Sequence, residues 1–216
     1  MGIDLYYVPG SPPCRAVLLT ARALNLNLNL KLVDMNSGEH LKPEFLKLNP
    51  QHTVPTLVDD GHSVWESRAI ITYLANKYGK GKPLYPEDPK ERSQVDQALY
   101  FNIGTLYHRW ADYFFPQVFG GAPADKAKLE KVEEALKMLD TMLEGHKFIT
   151  GNNMTIADLD YLASISSFEA SDVNFLKYPN IKRWYETAKS SAPGYEEANA
   201  AGLVALKELC KTLMKK

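Results

Sequence analysis

The residues best suited to chemistry sit in Tyr7-Val8-Pro9-Gly10-Ser11-Pro12-Pro13-Cys14-Arg15. Ser11 is a good helix N-cap, and Pro12 suits the first helical position, where no N–H is needed. A hydroxyl there lies among free backbone N–H groups, a setting that favours an anion. The spacing from Ser11 to Cys14 is that of a redox Cys-x-x-Cys with serine in place of the first cysteine. No disulfide can form, but the hydroxyl can still hold a thiolate. An ordinary capped helix is the alternative. Cys14 offers a second route, because a helix N-terminus and the adjacent Arg15 both lower a thiol pKa. Glu66-Ser67 opens another predicted helix. Its N–H groups can take a carboxylate and Glu66 an ammonium, which together suit an α-amino-acid end; a plain cap with Ser67 at the N-cap is the other reading. His40 and His52 lie in loops, where each can bind a further carboxylate or simply face solvent.

The elements that must position these residues read as follows. Ile3–Tyr7 is a strand, Pro12–Leu24 a helix, and Leu28–Val33 an apolar/polar alternation that predicts a half-buried strand. Strand, helix, strand at this spacing is a βαβ unit. A short helix at Lys42–Leu48 ends at Asn49-Pro50. Thr56–Val58 and Ser63–Trp65 flank Asp59-Asp60-Gly61-His62, a hairpin signal. A helix from Ser67 to Tyr78 completes a thioredoxin-like order over residues 1–78. In such a domain a proline at the position of Pro55 faces the strand–turn–helix tip. A cis Val54-Pro55 bond would turn the Val54 N–H and C=O outward to pair with a peptide backbone. Residues 79–89 carry two glycines and three prolines and read as a linker. Residues 90–216 show no convincing strand and read as an all-helical domain. A helix is predicted from Lys90 to about Tyr113, with Pro116 kinking or ending it. Thr155 and Asp158 form a capping-box variant ahead of another helix.

The chain has 216 residues, 45% of them hydrophobic, and a net charge of −1, so a sizeable core can form. With no basic block longer than pairs such as Lys215-Lys216, nothing points to a nucleic-acid or membrane partner. Two distant cysteines and no visible signal peptide fit a cytoplasmic location. No apolar run is long enough to span a bilayer, and no Cys/His cluster has metal-ligand spacing.

These pieces would receive a thiol at Ser11, a peptide backbone at Val54-Pro55, an amino-acid end at Glu66-Ser67 and a carboxylate at a histidine. Glutathione carries those groups in that order. The whole chain resembles the glutathione transferases, specifically the arthropod delta class. The resemblance lies in Tyr7–Arg15, Gly38–Phe45, Asn49–Leu57, Trp65–Ile70 and Leu99–Tyr107. It implies conjugation of the glutathione thiolate to hydrophobic electrophiles, with dehydrochlorination among the reactions of such enzymes. Glutathione is a co-substrate; no cofactor and no metal is implied. Ser11 would stabilise the thiolate. His40, Gln51, His52, Thr53, Val54, Pro55, Glu66, Ser67 and Arg68 would bind glutathione. Tyr107, Tyr113, Phe115 and Phe119 would supply the wall for the hydrophobic substrate, and the enzyme would be a homodimer. One position departs from the pattern: many delta-class relatives carry Asp where Asn102 stands, an acid in a polar network around the γ-glutamyl carboxylate. A glutaredoxin-like thiol transferase using Cys14 and a non-catalytic ligand-binding protein are the competing readings.

Overall fold

The computed structural model describes residues 2–214; Met1 and the Lys215-Lys216 pair lie outside them. Four strands form one sheet: β1 (Ile3–Tyr7), β2 (Leu28–Leu32), β3 (Thr56–Asp59) and β4 (His62–Trp65), in the order β2-β1-β3-β4. β1 and β2 are parallel, joined through helix α1 (Pro12–Leu24); β1–β3 and β3–β4 are antiparallel. The β3–β4 turn has positive φ at both Asp60 and Gly61, as the Asp-Gly signal requires. Short α2 (Pro43–Leu46) and α3 (Ser67–Tyr78) complete this thioredoxin-like domain. Leu5, Val17, Leu19, Leu57, Ile70 and Leu74 are its solvent-free core.

One expectation for the sheet fails. β2 is an edge strand, and Leu30 and Leu32 are 46% and 63% exposed, so it is not half-buried in the way its alternation predicts. Alternation shows that a strand has two different faces; it does not show that a layer covers the apolar one. Here Val33, one residue beyond β2, is the buried residue of this stretch.

The second domain is helical: α4 (Pro89–Phe101), α5 (Tyr107–Gly120), α6 (Lys126–Met142), α7 (Ile156–Ser167), α8 (Pro179–Ser191) and α9 (Ala201–Met214). Asp88 and Asp125 cap α4 and α6, each accepting two backbone N–H bonds. The helix expected to run from Lys90 to Tyr113 is instead interrupted by a π-helical segment at Asn102–Leu106. Pro116, expected to kink or end the helix, sits inside α5, which continues to Gly120. Pro116 has no N–H for the Asp112 carbonyl. Lys128 Nζ, reaching from α6, donates to that carbonyl at 3.3 Å and to Asp112 Oδ1 at 2.9 Å. The lost backbone bond is thereby replaced from a neighbouring helix.

Every residue of α7 is buried. Its first turn is held by Asp158, which accepts from the Ile149 and Thr155 N–H groups at 2.8 Å each and from Trp184 Nε1 at 2.9 Å. An Asp158→Ala change leaves those three donors without partners. At about 1–3 kcal/mol for each unsatisfied buried group, a loss of about 3 kcal/mol or more is expected. Denaturant unfolding measures it; a loss below about 1 kcal/mol would show that water or a rotated neighbour restores the bonds.

Candidate functional site

Sheet register brings the chemistry-bearing loops to one end of the sheet. Tyr6 pairs with Thr56, and Thr56 pairs with Trp65. The turn carrying Ser11, the Val54-Pro55 step and the Glu66-Ser67 step therefore leave three adjacent strands side by side. Tyr7 pairs with Leu32, so the segment leading to His40 starts from the same end.

Ser11 is the N-cap of α1, with Pro12 following it; its Oγ accepts from Cys14 N–H at 3.4 Å. The Ser11 side chain also hydrogen-bonds the Cys14 thiol. Cys14, in contrast, is completely buried, and burial pushes its thiol up to about 11 against the opposing effects of Ser11, Val8 and Arg15. At neutral pH it is a protonated core thiol. Burial and protonation of Cys14 disfavour a route through it.

The loop before β3 is built around Asn49, a fully buried residue that sequence reasoning treated only as a helix stop. Its side-chain amide donates to Thr53 O at 3.0 Å, Thr53 Oγ1 at 3.1 Å and Thr56 Oγ1 at 2.9 Å. Its Oδ1 accepts from Gln51 N–H at 2.9 Å. The Asn-Pro pair is the signal that could have marked it, since Asx side chains commonly close such turns. Within this loop His52 has a φ of +49°, and the Val54-Pro55 bond is cis. The rings of His40 and His52 lie 6.1 Å apart, and His40 Nδ1 is buried with no partner among the described residues. Gln51, His52 and Thr53 are exposed at the rim.

Glu66, not Ser67, is the N-cap residue of α3; it has a φ of +65° and makes no side-chain cap bond. Ser67 is the first helical residue, so the expectation that it caps the helix is corrected: a residue with helical dihedrals points its side chain away from the N–H groups a cap must meet. A non-glycine residue at positive φ is uncommon and persists where its surroundings hold it. Two such residues, His52 and Glu66, flank this cleft. Glu66 is exposed and free to meet a cation, and Ser67 is buried beneath it.

Arg68 points down behind Ser67. Its Nη1 donates to Ser67 Oγ at 3.1 Å, and its Nε to Asp160 Oδ2 on α7 at 3.0 Å. Asn102 Nδ2 donates to the same Asp160 oxygen at 2.7 Å and to Ser164 Oγ at 3.0 Å. The carboxylate missing at position 102 is thus present on the facing helix. Burial pushes Asp160 above the usual carboxylate range, opposed by Arg68 and Asn102. Sequence reasoning missed Asp160; two acids in the apolar run Ile156–Ile165 were the available signal.

Tyr107 starts α5, with the Arg68 guanidinium 5.7 Å over its ring. Burial raises its hydroxyl to about 12, so it stays protonated. From there an aromatic row runs along α5. Trp110 packs on Tyr107 and Phe115 at 5.7 and 5.5 Å, and Phe115 on Phe119 at 5.7 Å. Phe119 is 65% exposed. Tyr113 does not join this row: it is 2% exposed, and its hydroxyl donates to Asp172, so it belongs to the bundle interior. Trp110, fully buried and stacked on Phe114 and Phe168, is the support that aromatic spacing did not single out.

Comparison with known proteins agrees with this geometry. The family model described as "Glutathione S-transferase, N-terminal domain" matches residues 5–83, and "Glutathione S-transferase, C-terminal domain" matches residues 96–192. A delta-class glutathione transferase of Nilaparvata lugens is 54% identical over 98% of this chain and 99% of its own, with a TM-score of 0.95. The Bombyx mori glutathione transferase BmGSTD1 is 45% identical over 97% and 98%, with a TM-score of 0.94. An epsilon-class enzyme of Musca domestica is 39% identical over 97% of each chain, with a TM-score of 0.90. Among the described residues no helix is long and apolar enough to cross a membrane. On these two family matches and on 54% identity over nearly its whole length, this chain belongs to the glutathione transferase family and conjugates glutathione.

Proposed function

We propose that the chain is a delta-class enzyme that detoxifies hydrophobic electrophiles, with Ser11 as its catalytic residue. The observation that carries this reading is the convergence of Ser11, the cis Val54-Pro55 step and Glu66 at one sheet end. In it, the Ser11 hydroxyl donates to the glutathione sulfur. The Val54 main chain pairs with the cysteinyl backbone over Pro55. His40 and His52 hold the glycine carboxylate, and Gln51 and Thr53 shape that rim. The N-terminus of α3 at Ser67 takes the γ-glutamyl carboxylate, and Glu66 takes its ammonium. Arg68, tied to Asp160, holds Ser67 in place. Tyr107, Phe115 and Phe119 form the apolar wall for the electrophile. The thiolate attacks carbon, an S–C bond forms, and the leaving group departs with its electron pair. In an elimination, the thiolate takes a proton as halide leaves.

The enzyme works in the cytoplasm as a homodimer. The outer face of α3 and α4 supports a dimer: Ala69, Thr72, Leu99 and Ile103 line a cavity of about 470 Å³, beside a Tyr100 that is 76% exposed.

A free thiol titrates at about 8.5. A hydrogen bond to a charged group contributes roughly 1.5–3 kcal/mol, or about one to two pKa units. Ser11→Ala should therefore cut turnover about ten- to a hundredfold with a generic aromatic electrophile. It should move the pH–rate profile to higher pH while glutathione still binds. Cys14→Ser should conjugate at close to the parent rate. The reverse pattern would make the protein a Cys14 thiol transferase, and no turnover in the parent would make it a ligand-binding protein. Glu66→Gln and Ser67→Ala should weaken glutathione binding more than they slow chemistry on bound glutathione. Titration calorimetry giving parent affinity in both variants would remove the assigned amino-acid end.

A further inference from the structure

Arg15 is a fully buried arginine on α1, one helical turn after Ser11. Its guanidinium meets only neutral acceptors. Nη1 donates to Ser166 Oγ at 3.0 Å and to Asn199 Oδ1 at 2.6 Å, and Nη2 to Ser167 Oγ at 2.5 Å. Nε is buried without a partner. Among the described residues Arg15 has no salt bridge. The usual solution for a buried charge is an opposite charge at contact distance, and this site withholds it.

The surroundings keep that charge uncompensated. On α1 itself the titratable neighbour is Cys14, a protonated thiol. From α5, α8 and the segment after α8 it faces Tyr107, Tyr185 and Tyr195. On α7, which supplies Ser166 and Ser167, Asp158 is taken up by Trp184 and two backbone N–H groups, and Asp160 by Arg68 and Asn102. In the π-helical segment Glu196–Ala200, which supplies Asn199, both glutamates are exposed. In the 3-10 turn Phe168–Ala170, Glu169 is paired with Lys207 of α9. Burial lowers Arg15 to about 10, which leaves it ionised at neutral pH.

The arginine stem packs beside the active-site turn. A Cβ built on Gly202 of α9 would come within 2.3 Å of Pro9 O and 2.6 Å of Arg15 Cδ. The arginine stem and the Pro9 carbonyl therefore flank one point on α9, directly behind the Pro9-Gly10-Ser11 turn. Helical side chains lean toward the N-terminus, so the stem runs back toward the turn that holds Ser11.

We propose that Arg15 is a positioning residue of electrostatic kind: its uncompensated buried charge stabilises the glutathione thiolate at Ser11 through the protein interior, without touching it. This rests on the assignment of the thiolate to Ser11. At a separation of about 10 Å and an effective dielectric constant of about 20, a unit charge would shift a thiol by about one pKa unit. That effect adds to the hydroxyl's hydrogen bond and needs no general base.

The test neutralises Arg15 without emptying its site. Asn199→Asp sets a carboxylate where the amide oxygen now accepts at 2.6 Å. Beside the guanidinium that carboxylate ionises. It gives up one bond from Asn199 Nδ2 to Ser166 Oγ, whose hydroxyl can donate in return. The readout is the ultraviolet thiolate absorbance of enzyme-bound glutathione against pH. Asn199→Asp should raise the bound thiol's pKa by about one unit, move the pH–rate profile up equally, and leave the melting temperature no lower. In the same titration Arg15→Lys should stay near the parent and Arg15→Met should follow Asn199→Asp; if Arg15→Met does not fold, Asn199→Asp decides. An unshifted thiolate titration in Asn199→Asp overturns the proposal and leaves Arg15 as a tether between helices. A parent without any bound-thiolate band overturns the Ser11 assignment itself, so the two failures are told apart.

Discussion

A helix with no solvent face must find an internal partner for each of its polar side chains, and α7 is such a helix. Its whole length is buried, yet it carries Asp158, Asp160, Ser164, Ser166 and Ser167. Leaving any of them unpaired costs more than the pairing itself contributes, so their partners' positions are tightly constrained. Those partners are Trp184 and the turn before α7, Arg68 of α3, Asn102 of the π-helical segment, and Arg15 of α1. Both helices whose N-termini open on the cleft are therefore tied to one buried spine. The thioredoxin-like domain and the helical domain are registered against each other by hydrogen bonds as well as by packing.

The cleft divides labour between two groups of similar size three residues apart. Ser11 sits at the cap, where its hydroxyl oxygen meets the Cys14 N–H. Cys14 sits one turn inside, where burial keeps its sulfur protonated. Serine in place of the first cysteine of a redox pair rules out a disulfide at that position. His52 and Glu66 hold positive φ where glycine would be easier.

Local features of the chain were legible where short-range chemistry decides them. Ser11-Pro12 announces a capped helix, Asp60-Gly61 a hairpin, and the glycines and prolines of residues 79–89 a connection. Less legible was whatever depends on a partner far along the chain. The alternation of Leu28, Leu30 and Leu32 cannot say that no layer covers them. The π-helical segments at Asn102–Leu106 and Glu196–Ala200 each insert a residue whose position is set by packing across the bundle. Pro116 stays inside a helix only because Lys128 replaces a hydrogen bond. Of the glutathione cleft, Ser11, Pro55 and Glu66 could be read from motifs. The pairing of Asp160 with Asn102 and Arg68 and the Arg15–Asn199 bond could not, since pairing across 58 to 184 residues leaves no mark on local spacing.

The exposed edge strand has a consequence for how the protein behaves in a crowd. Beyond β2 the sheet has no further strand among the described residues, so its outer row of backbone donors and acceptors is open, with Leu30 and Leu32 uncovered alongside. Such an edge is a template onto which another extended chain can add. Lys31 between the two leucines and the five-residue length oppose that growth, as does Asn29, whose amide is drawn sideways onto Asp4 at 2.6 Å. Replacing Lys31 with an apolar residue would leave the short length and Asn29 as the remaining guards of this edge.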